Sequence, residues 1–120
     1  IITTQFVRDL LLDRNAKMRI PLKCGTDTTF VNPNIVLYIQ SQRKRTEVVC
    51  LDRVISCNSP IGELSKELPA EFLAVHRGYI VNTHYIVSVR RFEVELISGI
   101  CVPIPAATYM AVKETIQKMI

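Results

Sequence analysis

The amino-acid sequence predicts a mostly β domain with antiparallel strands and two short helices. Apolar and polar residues alternate over residues 17–24 and again over residues 92–97, which is the period of a strand with one buried face. Turn-forming Gly, Asn, Asp and Ser residues separate further apolar runs of strand length. With 120 residues, 48 % hydrophobic and 22 % charged, the chain can form a single domain with its own core.

The first half of the chain is predicted to hold a tail and five strands. Residues 1–16 are interpreted as a linker or tail with a helix-compatible stretch over residues 4–12, and residues 17–120 as the domain itself. Because the first residue is Ile and not Met, we expect the chain to be a fragment of a longer protein. Pro21 places the strand over residues 17–24 at a sheet edge or bulge, since proline cannot donate a ladder hydrogen bond. Further strands are predicted over residues 28–31, 35–40, 46–51 and 54–57, joined by turns and by a polar, basic loop at residues 41–44.

The second half is predicted to begin with a helix that is capped by Ser59, with Pro60 at its first position and Pro69 at its end. Strands are expected over residues 72–82, 85–89, 92–97 and 100–102, the last two joined by a two-residue turn at Ser98 and Gly99. A C-terminal helix is predicted to open at Pro105, because apolar residues then recur three to four positions apart. These residues are Tyr109, Val112, Ile116 and Met119.

Residues 72–82 read Phe-Leu-Ala-Val-His-Arg-Gly-Tyr-Ile-Val-Asn and place polar side chains inside an apolar run. As one continuous strand, this run would put Arg77 on the same face as Val75 and Tyr79. Buried polar groups need hydrogen-bond partners. We therefore expect His76 to hold the backbone or a neighbouring loop by hydrogen bonds.

This run resembles the signature of LytTR-type DNA-binding domains, in which an FfRvHRsyiVN-like stretch follows a short helix. The resemblance covers roughly residues 18–119 and includes the strand at residues 35–38, the helix near residues 63–64 and the hairpin at Ser98 and Gly99. It implies an elongated antiparallel β scaffold of several short sheets, with one short central helix and a C-terminal helix. It also implies the output domain of a bacterial transcription regulator in a two-component system. Similar domains usually follow a phospho-acceptor receiver domain and bind repeated sites on double-stranded DNA as homodimers.

The resemblance places DNA contacts in loops that enter successive major grooves, with a middle segment on the backbone between them. The first reading loop falls at residues 41–45, and the middle contact falls at Arg77. The residues of this loop expected to contact DNA are Gln42, Arg43, Lys44 and Arg45. Arginine can donate two hydrogen bonds to guanine and glutamine can address adenine, whereas lysine suits phosphate. The alternative for Arg77 is an ion pair within the protein, with Glu71 or Glu95.

The sequence departs from the family pattern after the last hairpin. LytTR domains typically continue with a pVSRry-like run whose Arg is the second major-groove reader. Here Pro105 stands where the Ser would be and Ala106 where the Arg would be. Three alternatives follow: DNA binding is weak, a different sequence is read at this half through Thr108 or Tyr109, or DNA reading has been lost and the scaffold serves as a protein-interaction module.

Charge and cysteine content narrow the remaining classes of function. The net charge of +4 permits a polyanionic partner, and basic residues cluster at residues 43–45 and 90–91. The four cysteines form no CxxC pair, so we expect buried, reduced thiols and neither a metal site nor a cofactor. These residues are Cys24, Cys50, Cys57 and Cys101. A hydrolase using a Cys-His pair remains as a third alternative. No apolar run is long enough to span a membrane and no signal peptide is evident, so a cytoplasmic protein is expected.

Overall fold

The computed structural model describes residues 19–120, in which the strands form three antiparallel sheets. Strands β1 (Ile20–Cys24) and β2 (Asp27–Val31) form a two-stranded sheet. The five-stranded sheet contains β3 (Val36–Gln42), β4 (Arg45–Cys50), β5 (Val54–Cys57), β6 (Phe72–His76) and β7 (Tyr79–Asn82), in the order β5-β4-β3-β7-β6. The three-stranded sheet contains β8 (Ile86–Arg90), β9 (Glu93–Leu96) and β10 (Cys101–Pro103), with β9 in the middle. The helices are α1 (Ile61–Leu64) and α2 (Tyr109–Met119).

This architecture confirms the mostly β, antiparallel prediction with several short sheets, a short central helix and a C-terminal helix. The described part of the chain measures 46 × 30 × 23 Å, so it is elongated as expected. The predicted linker over residues 1–16, with its helix-compatible stretch over residues 4–12, lies outside the described residues.

The five-stranded sheet forms the central layer, with a hydrophobic core on each face. In the first core, Ile39 and Ile80 of the sheet pack with the β1–β2 sheet and α1. In the second core, Val81 packs with the three-stranded sheet and α2. Ile80 and Val81 are consecutive in β7, so the alternation of a strand gives each core its own row of side chains.

A buried asparagine joins the ends of β7 and β3. The Asn82 side chain is 1 % exposed, and its amide donates to the carbonyl of Val36 at 2.9 Å. Its side-chain oxygen accepts from the backbone N–H of His84 at 3.0 Å. The polar end of the signature run is thus satisfied within the protein and stabilises the central pairing of β3 with β7.

The signature run was predicted to be one strand, but it forms a hairpin of two strands. Strand β6 ends at His76, β7 begins at Tyr79, and these two residues pair across a turn formed by Arg77 and Gly78. A register shift between Ala74 and His76 marks a bulge just before the turn. The Arg-Gly pair therefore lies at an exposed tip, where a charged side chain does not have to be buried.

The short helix also differs from the prediction at both ends. Pro60 and not Ser59 is the N-cap, without a side-chain capping bond, and the helix ends at Leu64 instead of Pro69. Ser59 is buried, and its hydroxyl accepts from the backbone N–H of Lys23 at 3.1 Å. The Ser59 hydroxyl thus links the start of the helix to β1. Because it is engaged there, it does not cap the helix.

The turn before β10 and the start of the C-terminal helix also differ from their predicted positions by one residue or more. The turn predicted at Ser98 and Gly99 spans residues 97–99, because the N–H of Leu96 donates to the carbonyl of Ile100 at 2.8 Å. Gly99 has a φ of 81°, which glycine adopts without strain. The predicted helix opening at Pro105 is a 3₁₀ turn over Ala106–Thr108, and α2 begins at Tyr109. On the predicted packing face of α2, Val112 and Ile116 are buried, but Met119 at the end of the helix is exposed.

Candidate nucleic-acid interface

The predicted basic loop is a tight turn at the end of the β3–β4 hairpin. Gln42 and Arg45 pair across the two strands, which leaves Arg43 and Lys44 as a two-residue connection. Arg43 has a φ of 58°, and Lys44 does not share this left-handed conformation. That pattern fits a type II′ turn, in which glycine is usual at the first position. All four of these side chains are exposed.

The guanidinium of Arg45 is oriented by a hydroxyl on the neighbouring strand. Its Nε donates to Oγ of Ser56 in β5 at 2.7 Å. The carboxylate of Glu47 accepts from the Gln40 amide at 2.8 Å, and Arg45 forms no ion pair within residues 19–120. The remaining N–H donors of Arg45 lie on Nη1 and Nη2 and are available to a ligand. The sequence analysis missed Ser56, because its position beside Arg45 depends on the register of β4 against β5.

The second turn carries Arg77 and is stabilised by His76. Nδ1 of His76 accepts from the backbone N–H of Gly78 at 3.0 Å, and its ring packs edge-on against Tyr79. The structural role predicted for His76 is confirmed. Arg77 is exposed and forms no ion pair within residues 19–120. The predicted alternative of an ion pair with Glu71 or Glu95 is therefore not observed.

These two turns lie side by side at one end of the five-stranded sheet. The backbone N–H of Ser41 donates to the carbonyl of Gly78 at 2.9 Å, because β3 and β7 are neighbours in the sheet. On its other side, Arg77 lines an open groove of about 500 Å³ together with Pro105 and Thr108. Arg77 thus lies between the β3–β4 turn and the segment that precedes α2.

That segment presents small side chains. Ala106 and Thr108 are both exposed in the 3₁₀ turn that follows Pro105. The hydroxyl of Thr108 donates to the carbonyl of Pro105 at 3.4 Å. The three sequence-predicted regions are therefore brought to one edge of the molecule, but this part of the edge offers no cationic side chain of its own.

A fourth connection, between β8 and β9, packs against the same segment. Arg90 pairs with Glu93, so Arg91 and Phe92 form the turn. Phe92 has a φ of 69°. Its ring packs edge-on against the ring of Tyr109, with 5.6 Å between the ring centres. Its carbonyl accepts from the N–H of Ile104 at 2.9 Å. The sequence showed the basic pair at residues 90–91 but gave no signal for its position beside this segment.

The thiols differ in exposure from the prediction. Cys50 and Cys57 are buried as expected, whereas Cys24 is half-buried and Cys101 is exposed; all four are free. Burial raises the pKa of Cys50 to about 11 and also raises the pKa of Cys57. A thiol nucleophile needs a lowered pKa, so these two shifts oppose the Cys-His hydrolase alternative.

Within residues 19–120, no group of three or more His, Cys, Asp and Glu side chains is arranged to hold a metal ion. In the same part of the chain, no helix has the length and apolar character needed to cross a membrane.

Comparison with known proteins identifies the class of domain. The model of the LytTr DNA-binding domain family matches residues 26–117, which is most of the chain. The chain belongs to the LytTR family of DNA-binding domains, which are regulatory domains and not enzymes.

A solved structure has the same fold. It is described as the LytTr DNA-binding domain of a methyl-accepting/DNA response regulator from Bacillus cereus. The two chains are 22 % identical, with a TM-score of 0.69 over 82 % of this chain and 95 % of that one. Comparison with curated proteins gives no significant match.

Proposed function

We propose that this chain binds double-stranded DNA sequence-specifically, as the output domain of a bacterial transcription regulator that reads major grooves through its turns. The observation that carries the proposal is the joining of two exposed basic turns, by the bond from Ser41 to Gly78, along one edge of the fold. Arg45 and Arg77 on these turns form no ion pair within residues 19–120, so their charges face solvent. Because the chain belongs to a family of DNA-binding domains, DNA is the partner proposed for this edge.

The β3–β4 turn is assigned the first major-groove contact. Arg45 would direct Nη1 and Nη2 at guanine, because Ser56 already holds its Nε. Arg43 would reach the groove from the tip, Gln42 would address adenine and Lys44 would meet phosphate. The strained φ of Arg43 supports a functional reason for an arginine at a position that favours glycine.

Arg77 is assigned a middle contact with the DNA backbone. It lies between the first turn and the segment before α2, so it would face the phosphates or the minor groove between two major-groove contacts. Base information is degenerate in the minor groove, and a phosphate contact carries none. Arg77 would therefore position the protein without specifying sequence.

The second major-groove contact is assigned to Ala106 and Thr108. Ala106 has no hydrogen-bond donor in its side chain, and the hydroxyl of Thr108 is engaged with Pro105. A bidentate arginine contact is typically worth ~1–3 kcal/mol of base discrimination, so this half of the site would be less selective by about that amount. Specificity would rest mainly on the β3–β4 turn.

We also propose a homodimer on repeated sites, with a receiver domain before this domain. The solved relative is described as part of a response regulator, which supports this arrangement.

The test is selection of bound sequences from a random duplex pool at defined salt, followed by affinity measurements on the selected site. We expect Arg43→Ala with Arg45→Ala to abolish specific binding without unfolding the protein, because both side chains lie outside the cores. Arg53→Ala with Lys66→Ala removes the same charge from exposed positions outside the β3–β4 and β6–β7 turns and should retain specificity. If the first double variant bound its site as tightly as the parent, the turn would not be the reading element. If the parent selected no sequence from the pool, the interaction-module alternative would replace the proposal.

A further inference from the structure

We propose that Arg91 contacts a DNA phosphate beside Ala106, at the end of the edge that carries the other basic turns. The inference rests on the proposed DNA-binding function and extends it to a residue outside the reading turns. Arg91 is exposed, and it would supply the charge that the segment before α2 lacks.

The two adjacent arginines of the β8–β9 hairpin have different surroundings. Arg90 forms ion pairs with Glu93 at 3.2 Å and with Glu95 at 3.1 Å, so its charge is neutralised within the protein. Arg91 forms no ion pair with any residue in the range 19–120. Only the second arginine of the pair is therefore available to an anionic ligand.

Packing fixes the turn against the segment that should face DNA. The edge-on contact of Phe92 with Tyr109 at 5.6 Å and the bond from Ile104 N–H to the Phe92 carbonyl hold the turn there. Pro105 and Thr108 of the same segment share a groove with Arg77. The β3–β4 turn, the Arg77 turn, this segment and the Arg91 turn thus follow one another along a continuous edge.

The orientation of Arg91 favours phosphate over a base. The guanidinium carbon lies over the Phe92 ring, 5.2 Å from its centre, which is a cation–π contact. This contact holds the side chain close to the protein surface, whereas an arginine that reads a base must extend into the groove. The N–H donors at the free edges suit the oxygens of a phosphate, which lie on the outside of the duplex.

The experiment compares Arg91→Ala with Arg90→Ala, which removes the same formal charge from the adjacent position. We expect Arg91→Ala to weaken binding about tenfold on every sequence, as for the loss of one hydrogen bond to a charged group. The slope of log affinity against log salt should become shallower by about one unit. Arg90→Ala should cause a smaller loss, and Arg91→Lys should retain most of the slope.

Melting temperatures test whether each variant is folded, and Arg91→Gln replaces Arg91→Ala if the alanine variant is not. Equal losses for the Arg90 and Arg91 variants, or a loss confined to sites with one particular base, would overturn the phosphate assignment. If Arg43→Ala with Arg45→Ala loses binding while Arg91→Ala does not, this inference fails and the proposed function stands. If the parent protein binds no DNA, both fail.

Discussion

At the scale of single residues, the partner of each arginine decides whether its charge is available. Ser56 accepts from Arg45 and restricts the orientation of the guanidinium, but a neutral hydroxyl leaves the charge uncancelled. Glu93 and Glu95 hold Arg90 in place and cancel its charge. Orientation by a neutral partner reduces the entropy lost on binding without reducing the attraction to DNA. In the proposed interface, Arg45 is oriented by a neutral hydroxyl, and the other arginines form no ion pair within the described residues.

We predict that Arg77→Ala weakens DNA binding about equally across sequences. Loss of a backbone contact removes one released counterion, so the salt slope should become shallower by about one unit. Affinity titrations over a series of salt concentrations, on the selected site and on scrambled duplexes, provide the measurement. An altered base preference at constant salt slope would instead make Arg77 a reading residue.

We predict that the thiols react in the order of their exposure. Cys101 should be alkylated first, whereas Cys50 and Cys57 should react last in the native protein. At pH 8, a pKa of about 11 lowers the thiolate fraction of Cys50 roughly 100-fold relative to an ordinary exposed thiol. Mass spectrometry of timed alkylation checks this order, and denaturant should equalise the rates. Rapid native labelling of Cys50 would contradict its burial.

At the scale of single elements, the β3–β4 turn combines recognition with backbone strain. An L-residue in the left-handed region costs roughly 1–2 kcal/mol, which a glycine avoids at the cost of some unfolded-state entropy. We predict that Arg43→Gly raises the free energy of unfolding by up to about 1 kcal/mol and lowers DNA affinity. Urea denaturation and binding titrations measure the two effects.

Lys44→Gly is the matched control for that variant. Lys44 does not have a positive φ, so glycine there should lower stability or leave it unchanged. Equal stabilisation by glycine at both positions would show that the φ of Arg43 is not the source of the strain.

The sequence predicted elements well where one pattern dominated. The β5 boundaries agree with the prediction, and in β9 the buried Val94 and Leu96 alternate with half-buried glutamates, as the pattern predicts. The sequence predicts one strand where the signature hairpin lies, because Arg-Gly is not a typical turn pair and the residues on both sides of it favour strand. The Ser59 cap was misread because a tertiary bond to Lys23 competes with capping.

The candidate interface was predictable only in part. The residue types at Arg43, Arg45 and Arg77 indicated contacts with DNA through the family resemblance. Their adjacency depends on the pairing of β3 with β7, which joins segments about 40 residues apart and leaves no local pattern. The positions of Ser56 and Arg91 depend in the same way on strand register and ring packing.

At the scale of the whole molecule, two cores share one central sheet. Leu22 in the first core and Leu96 in the second are both fully buried. We predict that Leu22→Ala and Leu96→Ala each lower the free energy of unfolding by ~2–5 kcal/mol. Because both cores pack on the central five-stranded sheet, each variant should still unfold in a single transition. Circular dichroism and tyrosine fluorescence should give coincident midpoints, and separate midpoints would mean that the cores unfold independently.

The bond from Asn82 to the Val36 carbonyl spans 46 residues of chain, and this span has a kinetic consequence. Closing so long a loop costs entropy before the contacts it brings can compensate. The β3–β4 and β6–β7 hairpins have two-residue turns and need only local contacts, so we expect them to form early. Their association should limit the rate, with folding in the ~millisecond-to-second range of β domains. A newly synthesised chain would therefore display its arginines on separate hairpins first and acquire a DNA-binding edge only in the last step.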